Sequence, residues 1–111
     1  MNWKKQITNM IGLAKKAGRL SGGGFLVEKD IKRGAAYLVI TARDAGAASR
    51  KQLEDKANYR QVPVVEWGTK KELGAAIGQG ERTCLAVLDE GFSRKIAQLI
   101  QEEPKTGEEE E

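Results

Sequence analysis

Gly22-Gly23-Gly24 stands just ahead of Lys29, Lys32 and Arg33, three cations at i, i+3 and i+4. Consecutive glycines let a backbone approach a ligand closely. A helix that starts just after them turns unpaired N–H groups and the positive end of its dipole outward, a setting that suits phosphate. Cations one turn further along share a helix face and can reach neighbouring phosphates. The same residues also describe a flexible turn ahead of an amphipathic helix with a solvated basic face, and the motif alone does not decide between the two.

Other chemistries are poorly supplied. The chain has no histidine, which excludes His-ligated metals, Ser-His-Asp and Cys-His nucleophile systems and imidazole acid–base work. One cysteine, Cys84, excludes an internal disulfide and Cys-cluster metal sites, and its apolar surroundings in sequence read as core. Gly22-x-Gly24 begins a dinucleotide fingerprint, but Val27 takes the third glycine position and no Gly-Lys-Ser/Thr follows. Glu28, Asp30, Asp44, Glu54, Asp55 and Asp89 are scattered, each near a base, and read as solvated faces and caps. No catalytic residue, metal or cofactor is expected, and the chain reads as non-enzymatic.

The elements that must position the glycine and lysine cluster follow from periodicity. Trp3, Ile7, Met10, Ile11, Ala14 and Ala17 mark one face of an opening helix, and Gly18 stops it. Leu20 to Gly24 reads as a loop or very short strand, followed by a helix from Phe25 to Arg33 with Val27 and Ile31 inward. Ala36 to Thr41 is a continuous apolar run, the mark of a buried central strand. A helix from Ala47 to about Tyr59 has Leu53 and Ala57 as its seam. Val62 to Glu66 is a short strand whose Pro63 points to a strand start or edge. Thr69 three residues before Glu72 has capping-box spacing, which predicts a helix to about Ile77. Cys84 to Asp89 is a third strong strand, and Phe92, Ile96, Leu99 and Ile100 line a last helix. Helices alternating with three strong strands and one weak one predict an α/β protein, a three-layer α/β/α sandwich on a small mixed sheet.

The 111 residues fit one domain, and their charge is uneven. Residues 1–60 hold 13 bases and 5 acids, a net of +8, and residues 1–101 hold 18 and 10, again +8. Residues 102–111 hold six acids and one base with no apolar side chain, which predicts a folded body over 1–101 and a disordered acidic tail over 102–111. A basic body points to a polyanionic partner. The charged opening and the lack of a long apolar run predict a cytoplasmic protein without membrane association.

Several stretches resemble ribosomal proteins of the L7Ae type. They are a loop glycine, a helical lysine, then Ile31-x-x-Gly34-x-Ala36 running into Leu38-Val39-Ile40, followed by Asp44, Val62-Pro63-Val64, Lys71-x-Leu73-Gly74 and Ala86-Val87-Leu88-x-x-Gly91-Phe92. They stand in one register over roughly residues 5–100. The opening Gly12-Leu13-Ala14-x-x-Ala17-Gly18-x-Leu20-x-x-Gly23 is similar to the small bacterial branch of YlxQ-type and YbxF-type proteins. The resemblance implies an α/β/α fold that binds structured RNA, typically kink-turns, whose tight bend exposes sheared G·A pairs, or ribosomal RNA. Carried over by position, Gly24 is the loop glycine and Lys29 the phosphate-contacting lysine, flanked by Lys32 and Arg33. Arg43 lies in the loop after the central strand, and Gly80, Glu81, Arg82 and Thr83 occupy a loop that covers an extruded base.

Two departures bear on what such a site reads. The family's Asn-Glu pair, which hydrogen-bonds guanine edges, is Phe25-Leu26 here, and the base-covering loop is polar and one residue shorter. Phe25 reads either as a stacking platform for a base or as a hydrophobic staple into the core. The expectation is a monomeric RNA-binding protein, in contact with RNA or the ribosome through Gly22, Gly23, Gly24, Phe25, Lys29, Lys32, Arg33, Arg43 and Arg82. The competing expectation is a translation-associated protein-interaction module of the same fold that has lost specific RNA recognition.

Overall fold

The computed structural model describes residues 1–104. Five helices and four strands follow in the order α1 (Trp3–Lys16), β1 (Leu20–Gly22), α2 (Gly24–Lys32), β2 (Leu38–Thr41), α3 (Ala47–Tyr59), β3 (Val64–Glu66), α4 (Lys70–Ala76), β4 (Cys84–Val87) and α5 (Glu90–Glu102). The sheet order is β1-β4-β2-β3. β4 pairs antiparallel with both β1 and β2, and β2 pairs parallel with β3, so the sheet is mixed.

The two apolar runs of the sequence are the two central strands, and all eight of their residues are buried. Side chains alternate across the sheet with the period of two that a strand imposes. Leu38, Ile40, Leu85 and Val87 pack on one face with Ile7 and Ile11 of α1, Leu73 of α4 and Ile96 and Leu99 of α5. Val39, Cys84 and Ala86 pack on the other face with Val27 and Ile31 of α2 and Leu53 and Ala57 of α3. Three layers result, as the patterning requires.

The weak first strand is real but three residues long, paired Leu20 to Val87, Ser21 to Ala86 and Gly22 to Leu85. β2 and β3 begin later than the apolar runs predict: Tyr37 still donates its N–H to Val87, but Ala36 and Tyr37 lead in, as do Val62 and Pro63. The body extends past residue 101. α5 runs to Glu102, and Glu103 accepts a hydrogen bond from the Trp67 indole at 3.2 Å. Residues 105–111 of the expected tail lie outside the described residues. No described helix is long and apolar enough to cross a membrane.

Candidate functional site

Strand register brings four loops to one end of the sheet. Gly22 is opposite Leu85, Cys84 is opposite Thr41, and Thr41 is opposite Glu66, so the segments that follow β1, β2 and β3 and the one that precedes β4 emerge together. The glycine run does three different jobs there. Gly22 completes β1, and a Cβ on it would meet Ile77 Cδ1 at 2.9 Å and Leu85 Cδ2 at 3.2 Å, so a side chain there would require both side-chain ends to shift. Gly23 is the N-cap of α2 with φ 96° and ψ 151°, backbone angles that only glycine adopts readily. Its N–H donates to the Cys84 carbonyl at 2.9 Å, which ties the start of α2 to β4. Gly24 opens the helix, and no heavy atom lies within 4 Å of where its Cβ would be.

The start of α2 is left open as a consequence. α1, α4 and α5 are capped by the side chains of Asn2, Thr69 and Asp89, whereas α2 and α3 start at Gly23 and Gly46, which have no side chain to offer. The first intrahelical bond is Val27 N–H to Gly23 O at 3.0 Å, so the N–H groups of Gly24, Phe25 and Leu26 have no partner within the helix. Phe25 is 80% exposed and Leu26 46% exposed, so Phe25 is not a staple into the core. Together with Gly22, Gly23, Gly24, Glu81, Arg82 and Thr83 they line a groove at this end of the sheet.

The far wall of the groove is held rigidly. A Cβ at Gly74 would overlap the Gly80 carbonyl and come within 2.9 Å of the Gln79 oxygen, so α4 and the 79–80 backbone touch directly. Arg82 N–H donates to the Lys70 carbonyl at 3.0 Å. Its guanidinium turns back on its own loop, donating to the carbonyls of Gly80 at 3.1 Å and Glu81 at 2.9 Å and to Gln79 Oε1 at 2.9 Å. Arg82 therefore braces the loop, with its Cδ 3.6 Å from the Cβ position of Gly23.

The three cations of α2 share a shallow surface with Phe25 and Glu28, but they are not equivalent. Arg33 Nε holds the buried Asp30 carboxylate at 2.7 Å. Lys32 sits 3.2 Å from Glu28 Oε2, which also takes Lys56 of α3 at 2.7 Å. The hydrogen bonds from Lys56 and then Lys32 hold the Glu28 carboxyl below the usual carboxylate range. Lys29 is exposed and makes no ion pair among the described residues.

Arg43 is not part of this surface. It lines a separate hollow with Trp67, Ile100, Glu103 and Pro104, and its N–H donates to the Gly68 carbonyl at 2.7 Å. The tie from Glu28 to Lys56 and the contact of Gly74 with Gly80 are features that spacing alone does not single out. Lys56 is 28 residues from its partner, and a required glycine looks like any other until its neighbour is placed. Cys84 is buried beneath a cleft between α2 and α3, and burial pushes its thiol pKa up, away from reactivity. Among the described residues no cluster of His, Cys, Asp or Glu could hold a metal ion.

The match to known proteins follows this architecture along the chain. The profile of the ribosomal protein L7Ae/L30e/S12e/Gadd45 family matches residues 5–97. The RNA-binding protein YlxQ of Bacillus subtilis (strain 168) is 36% identical over 91 residues, covering 82% of this chain and 91% of that protein. The RNA-binding protein YlxQ of Enterococcus faecium is 35% identical over 98 residues, 88% of this chain and 94% of that one. Among solved structures, a protein of unknown function from Bacillus halodurans C superposes with a TM-score of 0.83 at 43% identity, over 86% of this chain and 97% of that chain. The Giardia lamblia 15.5kD RNA binding protein shares the fold, with a TM-score of 0.71 at 21% identity over 91% of this chain and 87% of that chain. A mixed four-stranded sheet between two helical layers, matched in one register over nearly the whole body, places the chain in the ribosomal protein L7Ae/L30e/S12e/Gadd45 family, on its YlxQ-like bacterial branch.

Proposed function

We propose that this protein is a non-catalytic RNA-binding protein that docks on structured RNA, a kink-turn or a bent segment of ribosomal RNA, through the start of α2. One observation carries the reading. A glycine-capped helix end with three unpartnered N–H groups opens beside Lys29, an exposed cation that no described carboxylate neutralises. Backbone donors at a helix N-terminus and a lysine one turn along form a phosphate cradle. The names of the YlxQ relatives and the net +8 of residues 1–60 support RNA as the polyanion. Lys32 adds charge to the same face, Arg33 and Arg82 support the face and the loop from behind, and Arg43 contributes only to RNA that wraps around the sheet end. The protein acts as a monomer in the cytoplasm, bound to RNA free or within a ribosome.

The test is a titration of a kink-turn RNA against a plain duplex of equal length, at two salt concentrations, with wild type and Lys29→Ala. Kink-turn-selective binding that weakens in the variant is the expected result. Equal, weak and strongly salt-dependent binding to both RNAs would refute specific recognition and favour the protein-interaction module.

A further inference from the structure

We propose that the end of the sheet opposite the α2 groove is a second RNA-contact surface, one that grips backbone phosphates, and that one molecule thereby bridges two RNA segments. This surface shares no residue with the groove and is tested apart from it; the bridge rests on both. Register puts the start of β1, the end of β4 and the start of β2 side by side, with Leu20 opposite Val87 and Val87 opposite Leu38. Val39, one residue on, is opposite Val64 at the start of β3. Leu88 N–H donates to the Arg19 carbonyl and Tyr37 N–H to the Val87 carbonyl, each at 2.8 Å, so Arg19 and Tyr37 flank the end of β4. α1, α2 and α3 all finish at this end, because each leads into a strand that starts there. They finish on one kind of turn. Gly18, Gly34 and Gln61 have positive φ, and the next residue donates its N–H to the carbonyl of Ala14, Asp30 or Ala57.

The side chains that these turns carry are cationic and aromatic. Lys16, Arg19 and Arg60 are exposed, and neither they nor Lys15 make an ion pair among the described residues. The acids that follow Leu88 are engaged: Asp89 Oδ2 accepts from the Phe92 N–H at 2.9 Å, and Glu90 Oε2 from Arg94 at 2.7 Å. Both tyrosines of the chain, Tyr37 at 48% and Tyr59 at 84% exposed, stand at the same end. Helix dipoles account for Lys15 and Lys16 in the last turn of α1 and for Arg60 at the C-cap of α3. They give no reason for Arg19, three residues past α1, or for two exposed tyrosines. Lysine, arginine and the tyrosine hydroxyl are donors that hold phosphate and sugar oxygens. An acidic protein is the competing partner. RNA is favoured because the apolar side chains at this end, Leu20, Ala36, Leu38 and Val62, are all buried, which leaves no apolar centre for a protein interface. The cations instead follow the strand ends, about 15 Å across at ~4.8 Å per strand, as a repeating anion requires.

The experiment compares the full chain with Lys29→Ala and with a triple variant, Lys16→Ala, Arg19→Ala and Arg60→Ala, circular dichroism confirming that each is folded. Affinity for a fluorescent plain RNA duplex is titrated in solution, and each protein is also loaded on immobilised kink-turn RNA and offered the same duplex. The triple variant should lose about tenfold in solution affinity and two to three phosphate contacts of salt slope, at about 0.9 logarithmic units each. Lys29→Ala should keep the duplex affinity. Tyr59→Phe, which removes only a donor, should lose about two- to tenfold. Kink-turn RNA loaded with wild type should capture the duplex, and loaded with the triple variant should capture at least tenfold less while the loading itself holds. If the triple variant binds and captures the duplex as wild type does, the proposal fails and the groove reading stands. If wild type does not load on the kink-turn RNA, the groove reading and the bridge fail, and the solution titration alone decides the second surface: a tenfold loss upholds it, no loss overturns it. If polyglutamate displaces the duplex at equal charge concentration, the partner is an acidic protein and the assignment to RNA is overturned.

Discussion

Single residues at the start of α2 divide the work between backbone and side chain. Gly23 needs its positive φ, and Gly24 does not. Gly23→Ala should therefore cost about 1–3 kcal/mol of stability, read as a lowered Tm, and should weaken RNA binding with it. Gly24→Ala should leave Tm unchanged or slightly raised, since a methyl there meets nothing in the protein, yet weaken RNA binding by placing that methyl in the path of a phosphate. The cations divide the same way. Lys29→Ala should lower affinity on the order of tenfold at low salt with no change in Tm. Arg33→Ala should do the reverse, because it strands the buried Asp30 carboxylate and removes little from the RNA face. Thermal melts beside the same titration separate the two patterns.

At the scale of elements, α4 is short and carries the groove's far wall. Its seven residues begin with a complete capping box: Glu72 N–H to Thr69 Oγ1 at 3.1 Å and Thr69 N–H to Glu72 Oε1 at 3.0 Å. Lys4 of α1 also holds Glu72 at 2.5 Å. That ion pair first, and the Thr69 N–H after it, hold the Glu72 carboxyl below its ordinary value of 4.5. A carboxyl depressed by folding adds stability above its unfolded pKa and loses it as pH falls through the folded one. Tm should thus decline below about pH 4.5, and Glu72→Gln should lower Tm at neutral pH and flatten that acid limb. Gly74→Ala should cost at least the ~1–3 kcal/mol of an overpacked core, because the 79–80 backbone must move, and it should loosen the groove.

These elements also show where the sequence is readable. The apolar runs of β2 and β4, the Thr69–Glu72 spacing and the seam of α3 each express a local rule, and each marks a real element, although β2 starts two residues later and β4 ends two residues earlier than its run predicts. β1 is faint because three residues ending in glycine carry almost no pattern. The glycine run marks the open helix end, but its division into a packed, a strained and an open position depends on Ile77, Leu85 and Cys84, which are more than fifty residues away. Charge identifies Lys29, Lys32, Arg33, Arg43 and Arg82 as equals. Only the fold reveals that Arg33 and Arg82 are turned to internal partners and that Arg43 faces another hollow. The bond from the Trp67 indole to Glu103 is equally hidden, since its partners are 36 residues apart.

For the whole molecule, the basic charge of residues 1–60 and the open end of the sheet point the same way. Binding should weaken with salt by about 0.7–0.9 logarithmic units per phosphate contacted, and Lys29→Ala should lower that slope by about one contact. The central claim, that RNA meets the protein at the α2 end of the sheet, is tested most directly by following backbone amide resonances during titration with a kink-turn RNA. The amides of Gly24, Phe25 and Leu26 should shift most, with Lys29 and the 79–83 loop next. Shifts centred on Lys15, Lys16 and Arg19 at the opposite end of the sheet, with Gly24 to Leu26 unmoved, would contradict it.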